Sequence, residues 1–88
     1  MNREIAKSIL AQELDGTKKI GYIKLAERIG GQPITRDLVA SDGKSYQLEI
    51  NIFWDSEKNG PIRLMGCVDD GGWRAFMPLT ISDLVCPE

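Results

Sequence analysis

The sequence predicts an α+β domain, with one or two N-terminal helices packed on a four-stranded antiparallel β-meander. Apolar residues recur at helical spacing over residues 2–14 and again over 20–29, then switch to every second position after Pro33. Glycine-containing reversals follow at 42–43, 56–60 and 70–71. The 88 residues make one domain, helical over about 2–30 and β over about 34–80. A chain this short buries only about 60 to 65% of its unfolded surface, so its single core is thin.

The first helix is written in NREIAKSILAQEL. Ile5, Ala6, Ile9, Leu10 and Leu14 form a stripe opposite Arg3, Lys7, Gln12 and Glu13. Asn2 is the expected N-cap and Gly16 the expected stop. A second run, TKKIGYIKLAERIGG, gathers Ile20, Ile23, Ala26 and Ile29 on one face, with Gly30 and Gly31 ending it. Gly21 weakens its first turn.

Beyond Pro33, the alternation Tyr46, Leu48, Ile50, Ile52, Trp54 marks a central strand with one strongly apolar side. Asp42-Gly43 suits a tight type I′ turn, which makes ITRDLVA the preceding strand. Ile34, Leu38 and Val39 do not share a side, so this segment is an edge strand or a short helix beginning at Pro33. A five-residue loop, Ser56 to Gly60, sets Ile52 opposite Leu64 and Ile50 opposite Gly66. A turn at Asp70-Gly71 sets Val68 opposite Trp73, Gly66 opposite Ala75, Leu64 opposite Met77 and Ile62 opposite Leu79. The first helix is then expected on the Leu48, Ile50, Leu64, Val68, Trp73 and Met77 side, closest at Gly66 and Ala75. TISDLVCPE reads as a turn or a single helical turn.

Composition bounds the function. Apolar residues are 42% and charged residues 27% of the chain, the balance of a folded domain. No apolar run approaches the roughly 18 to 20 residues of a membrane span, and MNREIAKSIL lacks the apolar stretch of a secretory signal. A cytoplasmic location is therefore expected, with Cys67 and Cys86 as reduced thiols. Histidine is absent, which removes the commonest general base and zinc ligand. The net charge of −2 disfavours polyanionic partners. Phosphate-binding glycine loops, paired CxxC motifs and GxSxG are absent.

Several residue groups are candidates for chemistry, and each has a plainer reading. Asp42, Asp69 and Asp70 converge at one end of the sheet and could hold a hard cation, but Asp-Gly is what tight turns prefer, so no metal is expected. Asp69 and Asp70 could act as acid and base only in a pocket that separates their pKa values, and an exposed turn supplies none. No enzymatic activity and no cofactor follow. Lys18, Lys19 and Lys24 form the wet side of the second helix. Residues 20–39 carry a LAxxIG pattern, which suggests a helix-turn-helix with Arg36 toward DNA; the acidic balance and the polar centre of ITRDLV oppose it. A ligand pocket between helix and sheet near Trp54 or Trp73 is a further alternative.

The second side of the sheet is the most informative surface. The expected register places Asn51, Met65 and Phe76 in one row, Glu49, Cys67 and Arg74 in the next, and Phe53, Arg63 and Pro78 in a third. Phe53, Met65, Arg74 and Phe76, with Arg63 and Glu49, make a mixed aromatic, thioether and charged patch. Such a patch suits a protein partner or self-association as a homodimer, unless the second helix or the tail covers it.

The segment YQLEINIFWD followed by IRLMGCVDDGGWRAFMPLT resembles a group of small bacterial proteins that share a DDGGWRAF-type turn and a PLT ending. The likeness covers roughly the C-terminal half. It implies a compact bacterial domain and carries no catalytic or binding residues; a bacterial or mobile-element origin is expected. The expectation is a non-enzymatic protein-interaction module.

Overall fold

The computed structural model describes residues 3–69 and 79–87. It is an α+β fold of two helices on a four-stranded antiparallel sheet.

Helix α1 spans Arg3–Lys18. Ala6, Leu10, Leu14 and Thr17 are its buried residues, spaced by four, four and three so that they stay on one line. Ile5 and Ile9 widen the stripe as partly buried flanks. Gly16 does not end the helix as expected. The next residue, Thr17, turns inward and its hydroxyl donates to the Glu13 carbonyl at 2.7 Å, and the chain breaks instead at Gly21, whose φ is 97°.

That break resets the phase of helix α2, Tyr22–Arg28. Leu25 is buried and Tyr22, Ala26 and Ile29 are partly buried, whereas Ile23 is 70% exposed. The expected Ile20-Ile23-Ala26-Ile29 face is therefore wrong at Ile23, because it assumed one continuous helix through Gly21. Gly30, with φ 89°, lies just beyond the C-terminus, as expected.

Strands β1 (Ile34–Val39), β2 (Ser45–Trp54), β3 (Ile62–Asp69) and β4 (Leu79–Val85) lie in sequence order. Residues 34–39 are thus an edge strand and not a helix. The β1–β2 connection is a three-residue loop: Gly43 N–H donates to the Ala40 carbonyl (3.0 Å) and Ala40 N–H to the Lys44 carbonyl (2.9 Å). Only Gly43, at φ 79°, takes the left-handed conformation there. This is a type I turn with a glycine bulge in place of the expected type I′ turn, which would need two such residues.

The β2–β3 hairpin has the expected register, with Ile50 opposite Gly66 and Ile52 opposite Leu64. Asp55 N–H donates to the Pro61 carbonyl (3.0 Å) and closes the five-residue loop. Tyr22 ties this loop to α2, its hydroxyl donating to the Gly60 carbonyl at 2.8 Å, while its ring packs on Trp54 at a centroid distance of 6.4 Å.

The third hairpin differs from expectation. Val68 pairs with Leu79, Gly66 with Ile81, Leu64 with Asp83 and Ile62 with Val85, so residues 79–85 form the fourth strand and are not a turn or helical tail. Both alternations, Trp73-Ala75-Met77-Leu79 and Leu79-Ile81-Val85, satisfy the same apolar side. The second continues without proline and is rich in β-branched residues. The Asp70-Gly71 turn, Trp73, Ala75 and Met77 lie outside the described residues, as does Asn2.

The core collects Ala6, Leu10, Leu14 and Leu25 from the helices and Tyr46, Leu48, Ile50, Ile62, Leu64 and Val68 from the sheet. Helix α1 comes closest at Gly66, as expected: a Cβ there would stand 2.5 Å from a Leu10 methyl group. Both helices pack on this one side. Among the described residues, no helix is long and apolar enough to cross a membrane.

Candidate functional site

Strand alternation dictates what the other side of the sheet carries. Ser45, Gln47, Glu49, Asn51 and Phe53 point there from β2, and Arg63, Met65, Cys67 and Asp69 from β3. The β3–β4 register completes the rows: Phe53-Arg63-Leu84, Asn51-Met65-Ser82, and Glu49-Cys67-Thr80 with Thr35 of β1 beside Glu49. Thr80, Ser82 and Leu84 thus stand where Arg74, Phe76 and Pro78 were expected. Arg74 and Phe76 themselves lie outside the described residues. Of the expected interaction residues, the structure brings Glu49, Phe53, Arg63 and Met65 together on one face.

Neither helix covers this face. Phe53 is 37% and Leu84 41% exposed, while Met65, Cys67 and Arg63 are half-buried among their neighbours. The second helix, offered as a possible cover, packs instead beside Trp54 on the core side.

The face has two different ends. At the Phe53 end, Arg63 has two partners: its Nε donates to Asp55 at 2.7 Å and its Nη1 to the Ser82 hydroxyl at 3.0 Å. With its guanidinium engaged by these two partners, Arg63 lies in the same row as Phe53 and Leu84 and adds its aliphatic stem to their surface. Two to three rows away, about 13 to 20 Å by strand geometry, lies a shallow hollow of about 200 Å³ lined by Thr35, Asp37, Gln47, Glu49, Cys67 and Asp69. At its margin, Asn51 Nδ2 donates to Glu49 (3.3 Å) and the Cys67 thiol lies 3.6 Å from the Thr80 hydroxyl. Cys67 and Cys86 are free thiols.

The remaining sequence candidates fall elsewhere. Asp42 and Asp69 do share one end of the sheet. The Asp42 carboxylate is committed locally, accepting from the Lys44 N–H (3.0 Å) and the Tyr46 hydroxyl (2.9 Å). The Lys44 amide, and then the tyrosine, hold its carboxyl below the ordinary range. Asp70 lies outside the described residues, and among the described residues no three acidic or thiol groups stand close enough to hold a metal. Residues 20–39 form α2 followed by a strand, so the helix-turn-helix pair does not form, and Arg36 lies 3.1 Å from Glu13. Beside Trp54, where a ligand pocket was an alternative, the Tyr22 ring is packed; Trp73 lies outside the described residues.

Leu84 is the surface residue that the sequence reading overlooked. Its alternation with Ser82 and Thr80 was the available signal. No family model, curated protein or solved structure matches the chain.

Proposed function

We propose that this protein is a non-enzymatic interaction module that docks a protein partner, or a second copy of itself, on the open side of its sheet. The carrying observation is the placement of both helices on one side, which leaves Phe53 and Leu84 exposed beside Met65 and a hydrogen-bonded Arg63. Aromatic, methionine and arginine side chains with little conformational freedom left to lose are the groups that dominate protein interfaces. Glu49 and the hollow around it would serve as the polar rim.

Size-exclusion chromatography with light scattering over a wide concentration range tests self-association, and capture of partners from host lysate tests the alternative. In both, Phe53→Asp should abolish the complex by placing a charge in the apolar end. A monomer at every concentration, together with identical partners captured by wild type and Phe53→Asp, would remove this face from consideration.

A further inference from the structure

We propose that the cleft between α1 and β1 binds a small organic monoanion with an apolar body, of which a medium-chain carboxylate is the simplest example. This cleft lies on the helical side of the sheet, away from the open face, and does not depend on the function proposed above. Helix α1 packs over β2, β3 and β4, leaving a gap beside β1 of about 310 Å³ lined by Glu13, Gly16, Thr17, Ile20, Arg28, Ile34 and Arg36. That volume is at the lower end of the roughly 300 to 1,000 Å³ typical of small-molecule sites.

The lining is amphipathic. Ile20 and Ile34 are partly buried apolar surface, and the Thr17 hydroxyl is spent on the Glu13 carbonyl. Polar recognition therefore falls to the charged groups. Two guanidiniums stand against one carboxylate, so the cleft carries one uncompensated positive charge. Arg36 approaches Glu13 through Nε at 3.1 Å, which leaves its terminal amino groups without an acceptor among the described residues. The Arg28 side chain has no ion pair or hydrogen bond among the described residues. A planar donor fork of this kind matches a carboxylate.

Gly16 is the second observation. Among the described glycines, Gly21, Gly30 and Gly43 have positive φ, and Gly31, Gly60 and Gly66 have a neighbour within 3.3 Å of where a Cβ would sit. Gly16 has neither reason, for a Cβ there would meet nothing within 4 Å. A glycine inside a helix costs about 1 kcal/mol relative to alanine. No contact or backbone angle of the fold requires it, and its absent side chain keeps the α1 wall of the cleft bare.

The test is an amide-resolved NMR titration with sodium octanoate, with octylammonium as the cationic counterpart. Octanoate should give saturable shifts centred on Glu13, Gly16, Thr17, Ile20, Ile34 and Arg36, and octylammonium should give none there. Arg28→Gln, a surface change, should weaken octanoate about tenfold, as loss of a charge-assisted hydrogen bond does. Gly16→Ala should raise the midpoint of thermal unfolding yet weaken octanoate, separating ligand binding from fold stability. The proposal is overturned if the cleft amides do not shift by about 10 mM octanoate, if the shifts centre on Phe53, Met65 and Leu84, or if Arg28→Gln leaves the affinity unchanged.

Discussion

Gly66 shows how one atom can set the distance between two layers. Its Cα lies against Leu10, and a Cβ would come within 2.5 Å of one Leu10 carbon and 3.3 Å of another, with Leu14 at 3.4 Å. Leu10 is fully buried and Leu14 nearly so, so neither can swing aside into solvent. Gly66→Ala should therefore destabilise by about 1 to 3 kcal/mol, as overpacking does, measured as a lower urea midpoint with an unchanged slope. Asp83 is another residue whose surroundings decide its behaviour. It occupies a core-side position in β4 opposite Leu64, and Lys18 at the end of α1 pairs with it. Lys18 is the main cause that lowers the Asp83 carboxyl, and Asp83 in turn raises the lysine. A carboxyl depressed in the folded state stabilises above its unfolded pKa and loses that contribution as pH falls through the folded value. Wild type should thus exceed Asp83→Asn in stability at neutral pH, and the gap should close below the ordinary carboxylate range. Urea midpoints measured over a pH series will show whether the two curves converge there. On the alkaline side, the lysine's contribution is complete below its ordinary value and is lost as pH rises through the raised one.

The elements were legible wherever a local pattern had only one solution. β2 could be read from five apolar residues at every second position, and the five-residue loop followed because only that length sets Ile52 against Leu64. α1 was equally plain, although its end was not: Gly16 looks like a stop, and the inward turn of Thr17 depends on the sheet beneath it. β4 was illegible for a physical reason. Asp83 interrupts the alternation of Leu79, Ile81 and Val85, and the Lys18 that makes it tolerable lies at the opposite end of the chain. A turn at Asp70-Gly71 gives Trp73, Ala75, Met77 and Leu79 an uninterrupted apolar side, so the sequence points to that segment instead. The helix–loop junction offers its own check. Tyr22→Phe removes the hydroxyl that donates to Gly60 while keeping the ring on Trp54. It should lower stability by about 1 kcal/mol, read from equilibrium urea unfolding.

At the scale of the molecule, side-chain parity made Glu49, Phe53, Arg63 and Met65 legible as neighbours, since two facing strands with a correct register settle which residues share a side. The same register error that displaced β4 hid Leu84. Nothing local announced the α1–β1 cleft, because its lining is drawn from both helices, the connector between them and an edge strand, which meet only in three dimensions. Under the proposed function, the division into a helix-covered side and a side that neither helix covers separates folding from association. Phe53→Asp touches no core residue and should lower unfolding free energy by about 1 kcal/mol, the difference in strand preference between the two side chains, while altering the mass seen by light scattering. A loss of stability much larger than that would mean Phe53 serves the fold.

Among the described residues, the edge strand β1 leaves one row of backbone donors and acceptors without a sheet partner. Its middle two residues are Arg36 and Asp37, and Arg36 is anchored to Glu13. An incoming identical strand that aligned these positions would set like charges against each other, so amyloid-style growth is opposed at the very place where the ladder stands open.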